Sequence, residues 1–148
     1  MNQTATGQWA TFHLGGEQFA LPVEEVQEVL VKQPLTPVPL APPEILGLLN
    51  LRGAIMPAID LRRRLGFPDA AVSEPKLLVL KGEEGPLSVV VDDIGDVFEL
   101  EGAGWRSVPD TLEAVHRDFV FGVFPLESQV LLGLRLNLLT SEGQSGAP

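Results

Sequence analysis

The chain has 148 residues, 45% of them apolar, which suits one globular domain with a real core and does not suit a disordered chain. A formal charge of −10 would repel both the phosphate backbone and an anionic bilayer, so neither nucleic acid nor a membrane surface is an expected partner. With no cysteine, no run of 18 apolar residues and no basic-then-apolar leader at the N-terminus, disulfides, thiolate metal sites, a transmembrane helix and a secretory signal are not expected, and a cytoplasmic location is.

Trp9 to Leu14 reads as a strand, Gly15 and Gly16 as a turn, and Phe19 to Val23 as the returning strand. Val23, Val26, Val29 and Leu30 stand among acids and fit one helical turn running into a strand. Prolines at 34, 37, 39, 42 and 43 exclude a helix interior or a central strand there. Pro42, Pro43 and Glu44 predict the first turn of a short helix over 43–47. Leu48 to Leu51 and Ala54 to Asp60 predict a hairpin about Arg52 and Gly53, with Pro57 marking an edge or a bulge. Leu61 to Gly66 reads as a helical turn closed by glycine. The stretch from Phe67 to Pro75 lacks periodicity and reads as a connector. Strands are expected at Leu77–Leu80, Leu87–Val91, Val97–Leu100, Phe119–Phe124 and Val130–Leu134. Short helical turns are expected at 111–117 and 136–140, and a frayed tail at 141–148.

The two halves look alike. Val23, Glu24, Glu25, Val26, Gln27, Glu28 and Val29 repeat in kind as Val91, Asp92, Asp93, Ile94, Gly95, Asp96 and Val97. Further on, Gly47 aligns with Gly122, Ile55 with Val130, Ile59 with Leu134 and Leu61 with Leu136. This predicts two copies of one β unit, each too small for an ample core, packed across a third apolar interface. Asn50, Arg52, Gly53 and Asp60 fall opposite Pro125, Glu127, Ser128 and Arg135, so these four are not duplicated. Polar residues that differ on a duplicated scaffold point to function more than to folding.

The stretch Gly47 to Gly66, GLLNLRGAIMPAIDLRRRLG, resembles the signature of CheW-like domains, as do Phe19–Val23, Val26–Val29 and Thr36–Pro39. The resemblance covers about residues 9–140. It implies a mainly β fold of two intertwined five-stranded SH3-like barrels, with a shared interface, a groove between them and short helical turns. The first barrel unit would span about 15–66 and the second about 76–140, with the N-terminal strand a candidate to join the second. The implied function is a chemotaxis adaptor that couples chemoreceptor tips to the regulatory domain of a CheA-type histidine kinase, in the cytoplasm at receptor arrays. An adaptor for a type IV pilus or another CheA-dependent output shares the same fold. The length leaves no room for the other domains of CheA or for a receiver domain.

Two readings stand for Arg52: a guanidinium offered to a partner carboxylate, or a brace paired with Glu28 or Asp60. The resemblance places Arg52 and Glu28 in the region used for partner recognition. Val26, Leu30 and Leu46 are either core or part of a receptor-facing groove. Gly47 and Gly53 permit a tight turn or a positive φ, and Asn50 and Asp60 complete the protein-binding set. Asp92, Asp93 and Asp96 lack the spacing of an EF-hand loop and read as solvated edge residues, as do Glu24, Glu25 and Glu28. No cofactor, metal or catalytic residue is expected. Two rivals are a small β-barrel enzyme, using those acids or Asp60 with Arg52 in a concave pocket, and a generic homodimeric SH3-like module.

Overall fold

The computed structural model describes residues 6–112, 117–136 and 139. Ten strands run in chain order: β1 Gly7–Leu14, β2 Glu17–Pro22, β3 Val26–Leu30, β4 Ile45–Leu51, β5 Ala54–Asp60, β6 Lys76–Leu80, β7 Leu87–Val91, β8 Asp93–Leu100, β9 Val120–Pro125 and β10 Val130–Leu134. One short helix, α1 (Leu61–Leu65), follows β5. Asp60 caps it by accepting from the Arg62 amide, and Gly66 ends it in the left-handed region at φ 87°.

The strands form two five-stranded sheets, ordered β3-β6-β7-β5-β4 and β8-β1-β2-β10-β9. Replacing each strand by its repeat equivalent turns one order into the other: β8 for β3, β1 for β6, β2 for β7, β10 for β5 and β9 for β4. The sequence repeat is thus a repeat of topology. Each sheet is antiparallel apart from one parallel pair, β5–β7 or β2–β10. That pair is where a hairpin from one half of the chain docks on the other half.

The connector at 67–75 therefore does not separate the sheets, as a division into 15–66 and 76–140 would require. Hairpin β1–β2 belongs to the sheet of β8–β10, and hairpin β6–β7 to the sheet of β3–β5. The chain changes sheets at the two copies of the repeated acidic segment. At the first, a 3-10 turn over Val23–Glu25 redirects it from β2 to β3. At the second, Asp92 alone lies between β7 and β8. Alternation of apolar residues specifies a strand's buried face but not which sheet receives it, so the exchange is silent in the pattern.

Burial follows the exchange. One apolar layer (Leu49, Met56, Leu77, Val79) lies within the first sheet, and one (Trp9, Ala20, Leu100, Leu131, with Trp105 and Phe121 against it) within the second. The largest layer lies between them and draws on both: Phe12, Phe19 and Leu21 from one sheet, Ile59, Leu78 and Val89 from the other, and Leu61 and Leu65 from α1.

Some expectations fail locally. Residues 43–47 are not helical: the Ile45 amide donates to the Pro42 carbonyl in a single turn, and Ile45 then begins β4. Two prolines fix a turn there, but the following residues are drawn into the ladder with β5. Pro57 lies in an interior strand, and the bulge is in its partner, between Ile45 and Gly47. Pro57 is tolerated because the pairing of β5 with β7 begins only at Ala58. Of the helical turns expected at 111–117 and 136–140, residues 113–116, 137, 138 and 140 lie outside the described residues, as does the tail.

Candidate protein-binding surface

The β4–β5 hairpin closes through a two-residue turn in which Arg52 has φ 52° and Gly53 φ 90°. Positive φ at both central positions marks a type I′ turn, whose twist matches that of the flanking strands. Asn or Gly usually takes the first of these positions, and an arginine there carries backbone strain. The Asn50 side chain supports the turn, its Oδ1 accepting from the Gly53 amide at 3.1 Å.

The turn carries Arg52 across to β3, at the other edge of the same sheet, where its Nη2 donates to Glu28. That hydrogen bond, and then the Glu28 charge, raise the pKa of the guanidinium further above its ordinary value. The Arg52 side chain is 68% exposed and that of Glu28 29%. Water competes with such a pair, so it is a weak brace and an accessible cation. Beside it, Val29 and Val31 face outward from β3 and its continuation, and Ile55 faces outward at the start of β5. Exposed apolar residues accompanied by an arginine are typical of protein-binding surfaces.

The predicted residues divide by location. Glu28, Asn50, Arg52 and Gly53 gather at the turn. Asp60 sits at the far end of β5, six strand steps from Ala54 or roughly 20 Å, and caps α1. Asp60 is therefore not the partner of Arg52. Leu46 is half-exposed and lines a cleft at that far end. Gly47 is buried at φ 153°, and a Cβ there would come within 2.7 Å of the Thr36 carbonyl, so it lets that segment pair with β4 at Leu48. Val26 packs against the layer between the sheets and Leu30 against the first sheet's own layer. The outward apolar residues of this region, Val29, Val31 and Ile55, were missed. Strict alternation about Glu28 and Leu30 would have found the first two.

The sequence reading also missed the use made of the three arginines of α1. Arg62 grips Asp92 with two hydrogen bonds, Nε to Oδ1 at 3.0 Å and Nη2 to Oδ2 at 2.7 Å, and donates from Nη1 to the Pro68 carbonyl at 2.9 Å. Arg63 faces Asp69 at 3.2 Å and Asp60 at 3.5 Å. Arg64 lies over the Phe119 ring, 4.6 Å from its centre. Asp92 is thus not a solvated edge residue. It is mostly buried at the crossover, where it also accepts from the Gly15 amide. Burial pushes its carboxyl pKa up, but the hydrogen bonds from Arg62 and Gly15 and the arginine's charge outweigh this and hold it below the ordinary value. Asp93 and Asp96 are exposed, as expected.

A cleft of about 450 Å³ lies between α1, β7 and the connector, lined by Leu46, Asp60, Arg62, Arg63, Val72 and Asp92 among others. It is concave and holds ionisable groups, the feature named for an enzyme. Its arginines are paired with its aspartates, and Asp92 is kept ionised, which suits neither a general acid nor a base. Arg52 is at the other end of the barrel. Among the described residues, no cluster of three or more His, Cys, Asp or Glu could hold a metal ion.

A model of the CheW-like domain matches residues 8–144. The chain belongs to the CheW-like domain family. It is 28% identical over 137 residues to a probable chemotaxis protein CheW of Rhizobium etli, covering 92% of this chain and 88% of that one. It is 28% identical over 133 residues to protein PilI of Pseudomonas aeruginosa, covering 88% and 75%. The scaffolding protein TtCheW of Thermoanaerobacter tengcongensis has the same fold, with a TM-score of 0.82 at 24% identity over 90% of this chain and 92% of that one. The two five-stranded sheets are therefore the paired barrels of a CheW-like domain.

Proposed function

We propose that this CheW-like domain is a chemotaxis adaptor that couples chemoreceptor tips to the regulatory domain of a CheA-type histidine kinase, by binding and not by catalysis. The observation that carries the reading is Arg52. It is held in a strained backbone conformation and largely exposed, on the sheet from which Val29, Val31 and Ile55 also face outward. Strain kept at an exposed turn has no folding benefit, and a pre-placed arginine has a binding one. The kinase regulatory domain is the partner against which this surface is tested. On docking, the Arg52 fork would keep Glu28 or take a partner carboxylate in a drier setting, where the interaction is stronger. Among the described residues no helix is long and apolar enough to cross a membrane, and the proposed place of action is the cytoplasmic face of receptor arrays, reached through partners.

The likeness to PilI supports a second reading, an adaptor of the same kind serving a type IV pilus or another CheA-dependent output. Genes neighbouring this one distinguish the two.

The test is titration calorimetry against the kinase regulatory domain, beside thermal melts. Arg52→Ala should weaken binding on the order of 100-fold, and lysine should restore only part, lacking the fork. Glu28→Ala should resemble Arg52→Ala, and the double variant should be no worse than either. Wild-type affinity in Arg52→Ala, with a melt many degrees lower, would make Arg52 a structural brace.

A further inference from the structure

The repeat relates two corners of the molecule that have the same backbone and opposite charge. In the first copy the Asp60 amide donates to the Glu44 carbonyl at 2.7 Å, and in the second the Arg135 amide donates to the Phe119 carbonyl at 2.7 Å. With Gly47 on Gly122, Pro42 and Glu44 fall on Arg117 and Phe119. The first corner is the cleft beside α1, where Arg62 and Arg63 are neutralised by Asp60, Asp69 and Asp92. The second is a smaller cleft of about 290 Å³, lined by Val108, Arg117, Asp118, Val120 and Arg135. Among the described residues Arg135 has no carboxylate partner, and Arg117 reaches only the fully exposed Asp110, at 3.8 Å. So long and exposed a pair neutralises little. Two arginines share this cleft with one lining acid, and they stand where the other copy has a proline and an aspartate. As with Arg52, a polar residue that departs from a duplicated scaffold points to function.

We propose that Arg117 and Arg135 bind a phosphate group in this cleft, as the free ion or as a small monoester. Two guanidinium forks in one small cleft repel each other when it is empty, and an oxyanion between them relieves that repulsion and accepts from both. The valines Val108 and Val120 supply an apolar wall, which keeps water from one side of the ion and strengthens the contacts. Asp118 selects among anions. A carboxylate in the lining repels an ion that can only accept hydrogen bonds and takes one that also donates. Hydrogen phosphate has a hydroxyl to donate, whereas sulfate and chloride at neutral pH have none. The acids elsewhere on the chain do not exclude a small ion, because physiological salt screens exposed charges beyond roughly 8 Å. They do oppose a long polyanion, which would have to lie along them. The cleft therefore suits a single phosphate group, and nucleic acid stays excluded.

The experiment uses the full chain and does not depend on the adaptor reading. Wild type is melted and titrated with inorganic phosphate, glycerol 3-phosphate, sulfate and chloride at matched ionic strength, beside Arg135→Asp, Arg135→Lys and Arg117→Ala. Arg135 and Arg117 are both exposed, so the variants should fold, and their melts in chloride check this. Phosphate at ~20 mM should raise the wild-type Tm by about 3 °C over chloride, as expected for a Kd of a few millimolar. Sulfate should bind at least about fivefold more weakly than phosphate. Arg135→Asp, which installs the first copy's residue, should abolish the phosphate shift. Arg117→Ala should at least halve it, and Arg135→Lys, which keeps the charge without the fork, should retain only part. The tighter of phosphate and glycerol 3-phosphate names the source of the group, and both must fail in Arg135→Asp. An undiminished phosphate shift in Arg135→Asp, or chloride acting as strongly as phosphate, overturns the site. Sulfate binding as tightly as phosphate overturns the selection by Asp118 and with it the phosphate assignment.

Discussion

The two barrels share strand order and outward apolar residues yet differ at one turn. Val29 matches Val97 and Ile55 matches Val130, and all four are exposed. The connections at 51–54 and 126–129 have the same length, and the second is closed by the Leu126 amide donating to the Gln129 carbonyl at 2.7 Å. The first, with Asn50, Arg52 and Gly53, adopts positive φ at both central residues. The second, with Pro125, Glu127 and Ser128, does not. Pro125 has no side-chain amide to hold the turn and Ser128 no freedom for the left-handed region. The pair Arg52 and Glu28 is replaced by two exposed acids, Glu127 and Asp96. A duplicated scaffold thus presents one face with a cation and one with anions alone, and three residues of turn chemistry make the difference.

Cutting the chain between its two halves should disturb the molecule most. Because each sheet takes a hairpin from the other half, fragments 1–66 and 76–148 each lack two strands of one sheet and three of the other. Neither should melt cooperatively alone, whereas the two mixed should regain a folded circular dichroism spectrum. Cooperative melting of a single fragment would refute the exchange.

A smaller effect is expected at the crossover. Asp92→Asn leaves the Arg62 fork without its charge partner and should lower stability by about 2 kcal/mol, or roughly 4–8 °C in Tm. The Asp92 pKa is depressed in the fold, so its contribution is complete above the unfolded carboxyl value of roughly 3.9 and is lost as pH falls through the depressed value. The difference between wild type and Asp92→Asn should hold from neutral pH to about pH 4 and shrink below it. A difference that persists undiminished to pH 2 would show that charge is not what Asp92 supplies.

The smallest effect sharpens the contrast itself. Glu127→Ala changes the repeat-mate of Arg52, and it should shift Tm and kinase-domain affinity by no more than about twofold in Kd and 2 °C in Tm. An effect equal to that of Arg52→Ala would mean that both faces bind this partner alike.

Much of this was legible in the sequence. Alternating apolar residues marked strands β1, β2, β4 to β7, β9 and β10, and Gly66 marked the end of α1. The unduplicated Asn50, Arg52 and Gly53 marked the turn, because turn chemistry is local. The resemblance offered the N-terminal strand as a candidate for the second barrel, where β1 does lie, but the transfer of β2 and of hairpin β6–β7 was not legible, because pairing partners are chosen by packing between distant segments. Nor was the role of Asp92. Its acid pattern matched that of Glu24 and Glu25, of which Glu24 is exposed, and only the fold brings Arg62 to it. Asp60 was grouped with Arg52 because they are close in sequence, but an extended strand sets them at opposite ends. Val29 and Val31 were overlooked because the segment's period was ambiguous before its strand was fixed.

In the proposed function, Arg52 is kept for binding at the expense of the fold. Arg52→Asn separates the two roles, since asparagine suits the turn and cannot replace the fork. Paired measurements of Tm and of Kd for the kinase regulatory domain should show the variant melting about 2–4 °C higher and binding on the order of 100-fold more weakly. A variant that melts lower and binds as tightly as wild type would contradict it.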